Sequence, residues 1–150
     1  MDAVTYPDEK VIDFINEHIV PVRVPADSMP LAADFRVMWT PTLITLDSFG
    51  KEHYRTVGFL PPEELIPSLL LGISKIDFDM ERCDSVIADC DNLLGDYSKS
   101  MAAPEAIYLR GVCRFKKTHN PKSLKDVYEQ LADEYPNSEW TKRAQPYKLL

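Results

Sequence analysis

Residues 39–57, WTPTLITLDSFGKEHYRTV, predict a β-hairpin. Thr42–Leu46 (TLITL) is apolar and β-branched, which favours a strand. The following DSFG segment, residues 47–50, has the chemistry of a turn, with a glycine that tolerates a positive φ. Residues 53–57 (HYRTV) alternate in polarity, as a paired antiparallel strand does. The stretch therefore predicts two short strands joined by a tight turn.

The segments on either side of this hairpin predict a mixed arrangement of helices and strands. They are, in chain order, a helix over 7–19, a strand over 19–24 (IVPVRV), a short helix over 29–35 and a helix over 61–71. Gly72 is expected to end the last of these helices, and Pro67 to kink or shorten it.

The second half of the chain predicts helices only. Their expected ranges are 76–98, 103–118, 121–135 and 138–148. The change of pattern places a domain boundary near residues 72–76, with one domain over 1–72 and another over 76–150. The expected fold class is α/β followed by all-α, and the two parts are expected to pack together because no glycine-serine linker separates them.

An internal repeat runs through the helical half at a shift of 38 residues. The shift places Val86 on Leu124, Cys90 on Tyr128, Leu93 on Leu131, Tyr97 on Tyr135, Ser100 on Ser138 and Ala106 on Ala144. The apolar matches are three or four residues apart, as one helix face requires. This predicts stacked helix pairs with Ala106 and Gly111 as points of close approach. The alternative is a helical bundle with chance similarity.

Two motifs of this half resemble tetratricopeptide-like repeats. Residues 106–111 (AIYLRG) match the first-helix glycine motif, and residues 135–138 (YPNS) match the close of the repeat. Arg110 departs from the family at a usually apolar position, and the period exceeds the family's ~34 residues. The resemblance implies an array of helical hairpins that docks another protein.

Residues 1–72 resemble the latter two-thirds of a thioredoxin-like domain, in its thiol-disulfide interchange branch. The likeness to the fold rests on residues 35–43 (FRVMWTPTL), 47–52 (DSFGKE) and 57–60 (VGFL). The likeness to the branch rests on residues 5–11 (TYPDEKV) with 19–22 (IVPV). It implies a partial thioredoxin-like fold and a cis Thr40–Pro41 peptide bond. It also implies a peptide-binding loop of Trp39, Thr40 and Pro41, in which Thr40 offers its backbone and Trp39 forms an apolar wall. Plain core packing is the alternative for Trp39.

The redox-active cysteine pair of that family has no match here, because no cysteine precedes Cys83. We therefore expect no catalytic residue in this chain. The family's central strand has no match either, which leaves a sheet edge without a partner. The alternatives are a misassigned or truncated start, a rearranged sheet, or a strand supplied by a neighbouring chain, which would make a homo-oligomer. We favour the first.

Composition limits the class of partner. The net charge of −7 argues against a nucleic-acid partner, because phosphate binding needs clustered Lys and Arg side chains. We therefore expect no nucleic-acid partner. No apolar run approaches the ~20 residues of a membrane span, so we expect no membrane partner. We also expect a cytoplasmic location. The three cysteines lack a CxxC spacing, which fits a reducing compartment.

The remaining chemistry gives no sign of a metal or a cofactor. His18, His53 and His119 lack partners at metal-ligand spacing, and surface or capping roles are expected for all three. Two functions stay open. The first is a redox-inactive protein-interaction module with a helical docking domain. The second is a thiol-disulfide oxidoreductase of the thioredoxin family whose CxxC segment lies upstream of Met1.

Overall fold

The computed structural model describes all 150 residues and is mostly helical, with one small antiparallel sheet. Its elements are α1 (Glu9–His18), α2 (Leu31–Asp34), β1 (Thr42–Leu46), β2 (Glu52–Val57), α3 (Pro62–Asp79), α4 (Cys83–Asp96), α5 (Ala103–Thr118), α6 (Lys122–Glu134), α7 (Glu139–Ala144) and a final 3-10 helix (Gln145–Leu149). The arrangement agrees with a mixed first part and a helical second part.

The predicted hairpin is confirmed. β1 pairs with β2, and Thr42 lies opposite Val57. The Asp47 carboxylate holds the turn, because its Oδ1 accepts the backbone N–H groups of Phe49 and Lys51, each at 2.9 Å. Gly50 takes the positive φ of 81° that the turn requires.

The predicted strand over 19–24 is wrong. These residues form no strand, and residues 20–24 make no backbone hydrogen bond. The Val20 and Val22 side chains are 89% and 80% exposed. A β-branched run becomes a strand only beside another strand edge, and the sheet here contains β1 and β2 alone.

Helix α3 continues through both Pro67, where a kink or an early end is expected, and Gly72, where the helix is expected to end. It continues beyond Gly72 to Asp79, so the prediction that Gly72 ends this helix is wrong. The missing side chain instead lets α3 approach β1, since a Cβ atom there would lie 2.5 Å from Thr45 Oγ1. Pro67 is buried within the helix. Residues 72–76, the predicted domain boundary, therefore lie inside one continuous helix.

The single helix predicted over 76–98 is also wrong, because α3 and α4 are separate. The chain turns between them, and Glu81 adopts a left-handed conformation with φ of 59°. Each of the helices α3 to α7 packs against the next, and α5 also packs against α3 and α7. The other predicted helices agree with α5, α6 and α7 plus the final 3-10 helix to within a few residues.

The 38-residue shift recurs in the hydrogen bonds of the structure. Tyr97 and Tyr135 terminate α4 and α6, where their N–H groups bond the carbonyls of Leu93 and Leu131 at 2.8 and 2.9 Å. Three residues on, the N–H groups of Ser100 and Ser138 bond the carbonyls of these two tyrosines, each at 3.0 Å. The two helix pairs therefore share the geometry of their turns as well as their apolar spacing.

Close approach at Gly111 is confirmed. A Cβ atom on this residue would lie 1.8 Å from Val127 Cγ2 and 3.3 Å from the Ser123 carbonyl oxygen. The backbone of α5 therefore lies directly against α6. Ala106 and Ala144 are completely buried, consistent with tight packing at these two related positions.

The hydrophobic core is built almost entirely from residues 60–150. Of the 28 buried residues, only Thr5 and Val11 precede Leu60. The first cluster, around Leu71, joins α3, α4 and α5, while a second packs α1 against α3 and a third fills the space between α5, α6 and α7. The sheet and the loops before it therefore lie on the outside of a helical body.

Candidate functional site

The loop at residues 37–41 leaves α2 and enters β1. Its start is fixed by the end of α2, where Arg36 adopts a left-handed φ of 48°. The Val37 N–H donates to the Ala32 carbonyl at 2.8 Å, and the Arg36 N–H donates to the Ala33 carbonyl at 3.0 Å. This pair of bonds is a Schellman motif. It directs the chain away from the helix and outward.

Arg55 on β2 fastens the end of α2 to the sheet. Its Nη2 donates to the Phe35 carbonyl at 2.6 Å, and its Nη1 lies 3.4 Å from the Arg36 carbonyl. Glu52 orients the guanidinium through two bonds of 2.8 and 2.6 Å. The Arg55 hydrogen bond lowers the pKa of Glu52, so the carboxylate stays ionised. The start of the loop is thus held to the sheet.

Trp39 lies in the solvent, so core packing is excluded for this side chain. It is 70% exposed and its neighbour Met38 is 89% exposed. A shallow groove of about 360 Å³ runs beside them and is lined by Ala26, Val37, Met38, Trp39 and Thr40. Four of the five lining residues are apolar. The sequence pointed to Trp39 and Thr40, but the contributions of Ala26 and Met38 carried no recognisable signal.

The Thr40–Pro41 peptide bond is cis, as the resemblance implied, and a second cis bond joins Met29 to Pro30. The carbonyls on either side of Thr40 are engaged. Trp39 accepts the Thr42 hydroxyl at 2.6 Å, and Pro41 accepts the Gly58 N–H at 2.8 Å. The N–H and C=O of Thr40 itself have no partner. They can form hydrogen bonds with an extended peptide lying along the groove.

The three cysteines lie in or against the helical core and not in this loop. Cys90 and Cys113 belong to the core between α3, α4 and α5, and Cys83 packs against it. Burial raises the pKa of both Cys90 and Cys113 to about 12. At neutral pH these two thiols hold almost no thiolate, which is the reactive form.

His53 corrects the expectation of a surface or capping role for every histidine. Its side chain is only 1% exposed and lies between two carboxylates. His119 does cap α5, with a left-handed φ of 53°. No group of three or more His, Cys, Asp and Glu side chains is arranged to hold a metal ion.

No protein-family model, curated protein or solved structure matches the chain. None of the helices combines the length and the apolar character that crossing a bilayer demands.

Proposed function

We propose that this protein is a redox-inactive, thioredoxin-like interaction module that binds an extended, apolar segment of a partner protein along the loop of Trp39, Thr40 and Pro41. The observation that carries the proposal is the unpaired backbone of Thr40 beside an apolar groove. A peptide in strand conformation would satisfy both backbone groups. It would also cover Met38 and Trp39, and burial of apolar area favours binding.

The tetratricopeptide-like array of α4 to α7 would provide a second docking surface. The repeated turn geometry and the close packing of α5 on α6 support this part of the proposal. Arrays of this kind present extended surfaces to other proteins.

The cysteine chemistry supports the lack of redox activity in this chain. No thiol lies among residues 1–82, and the two most buried thiols are protonated at neutral pH. An oxidoreductase built from this scaffold would need a CxxC segment that the 150 residues do not contain.

Self-association is a further part of the proposal. Only one edge of β1 is paired, and exposed apolar side chains such as Val20, Val22 and Met38 belong to the poorly buried first part of the chain. Unpaired edges and apolar patches favour contacts between copies. Light scattering over a concentration series should show species larger than the 17.1 kDa monomer. A monodisperse monomer at every concentration would contradict this part alone.

The binding proposal is tested with a short, acetylated and amidated peptide of alternating valine and lysine. The NMR signals of the Trp39 indole and the Thr40 amide should shift on titration. Trp39→Ala should weaken binding by roughly tenfold or more, as truncation of an aromatic anchor does. Phe49→Ala is the control, because Phe49 is also a solvent-facing aromatic residue, 89% exposed, but lies in the hairpin turn. Unchanged loop signals, or equal losses in both variants, would contradict the proposal.

A further inference from the structure

A buried histidine connects the hairpin turn to the end of α3. His53 Nε2 lies 2.9 Å from Asp47 Oδ2, and His53 Nδ1 lies 2.7 Å from Asp79 Oδ2. Asp47 belongs to the turn, and Asp79 is the last residue of α3. One imidazole ring therefore bridges the hairpin turn and the end of α3.

A β-bulge gives His53 this position. The register pairs Thr45 with Tyr54 and Leu46 with Glu52, so His53 has no partner on β1. A bulge changes the direction in which a side chain points. The ring of His53 is turned into the gap between the turn and α3, where it is 1% exposed.

The geometry requires a charged ring. An ionised carboxylate can only accept hydrogen bonds, so both ring nitrogens must carry a proton when both contacts are made. A neutral imidazole has one N–H and one lone pair. It can hold one of the two carboxylates and would repel the other.

We propose that Asp47, His53 and Asp79 form a pH-sensitive clamp, which is closed while His53 is protonated and releases Asp79 when the ring loses its proton. Asp79 is the partner that leaves, because its side chain is 46% exposed and can be solvated. Asp47 is 6% exposed and also holds the N–H groups of Phe49 and Lys51. The turn therefore keeps its shape while its attachment to α3 opens.

The surrounding charges are consistent with the release of Asp79 when the His53 ring loses its proton. Hydrogen bonding to Asp47, and then to Asp79, raises the pKa of His53, while desolvation and the positive charge of Lys51 oppose the rise. Hydrogen bonding to His53 lowers the pKa of Asp47. Because the folded-state pKa of His53 is raised, the clamp stabilises the fold fully below the ordinary value of about 6.5. That contribution is lost as the pH rises through the raised value.

The test is an NMR titration of the intact chain. We expect the His53 ring to titrate above the ordinary histidine value of about 6.5, with both ring nitrogens protonated below its midpoint. The side-chain carboxyl carbon of Asp79 should report the same midpoint as the His53 ring. A His53 ring that titrates at or below the ordinary value of about 6.5, or an Asp79 signal that does not follow the His53 midpoint, would overturn the clamp.

A pair of variants separates the clamp from a general charge effect. Asp79→Asn should lower the midpoint of His53 and speed amide hydrogen exchange near the hairpin turn. Asp133→Asn removes an exposed carboxylate on α6 and should change neither. Equal effects of the two substitutions would refute a specific role for Asp79. If Asp79→Asn fails to fold, the titration of the unaltered chain still decides the matter.

Discussion

Replacing Gly111 with alanine should destabilise the protein, although alanine is the better helix former. The added methyl group would lie 1.8 Å from Val127 Cγ2, and the Ser123 backbone at 3.3 Å limits any retreat. Overpacking of this kind costs about 1–3 kcal/mol, whereas alanine gains about 1 kcal/mol over glycine in a helix. The net loss is then up to about 2 kcal/mol, which at a urea m-value of about 2 kcal/mol/M lowers the urea midpoint by up to about 1 M.

Gly95→Ala is the matched control for this prediction. Gly95 also lies within a helix, α4, but a Cβ atom there meets nothing within 4 Å. The substitution should raise the free energy of unfolding by about 0.5–1 kcal/mol. Urea unfolding followed by far-UV circular dichroism measures both variants. Val127→Ala should offset part of the Gly111→Ala loss in the double variant. A Gly111→Ala protein as stable as the Gly95→Ala protein would refute the close approach of α5 and α6.

The 38-residue shift relates Ser100 to Ser138, and substitution of these two serines by alanine should change the free energy of unfolding in opposite directions. Ser100 Oγ is buried without a partner, so Ser100→Ala should raise the free energy of unfolding by about 1 kcal/mol. Ser138 Oγ accepts the Trp140 N–H at 3.1 Å at the start of α7, so Ser138→Ala should lower it by about 1 kcal/mol. Changes of the same sign in thermal unfolding would count against this account. Arg36→Gly should stabilise the protein by up to about 1 kcal/mol, because glycine adopts the left-handed conformation of this residue without the side-chain penalty. A lower free energy of unfolding in urea would contradict this prediction, because it would mean that contacts of the Arg36 side chain contribute more to stability than relief of its left-handed backbone conformation. Insulin reduction with dithiothreitol should proceed no faster with the protein than without it, and any measurable turnover would contradict redox inactivity.

The hairpin could be predicted from the sequence because its signals are local. Strand residues, turn residues and the glycine with positive φ all lie between Thr42 and Val57. The helices predicted over 103–118, 121–135 and 138–148 were predictable for the same reason, since their apolar spacing is regular. The glycine at the α5–α6 contact was identified because the repeat placed it on a packed face.

The errors arose where one local signal has two physical meanings. A glycine after an apolar helix marks either an end or a close approach, and at Gly72 it is a contact with Thr45 of β1. A β-branched run marks a strand only when an edge is available, and residues 20–24 have none. Neither choice can be made without the tertiary structure.

The surroundings of His53 depend on contacts between distant parts of the chain. Asp47 lies six residues before it, across a turn whose shape the sequence suggests. Asp79 lies 26 residues after it, and only the end point of α3 brings it near. Because the sequence placed that end at Gly72, the second carboxylate could not be found.

The most direct measurement of the proposed function concerns the backbone of Thr40. Successive amide nitrogens of the valine-lysine peptide are methylated one at a time, and the affinity of each peptide is measured by titration. Strand pairing with Thr40 predicts that methylation weakens binding at the one position whose N–H donates to the Thr40 carbonyl, because the Trp39 and Pro41 carbonyls already accept hydrogen bonds. Affinities that are insensitive to methylation, or that fall equally at every position, would contradict the account.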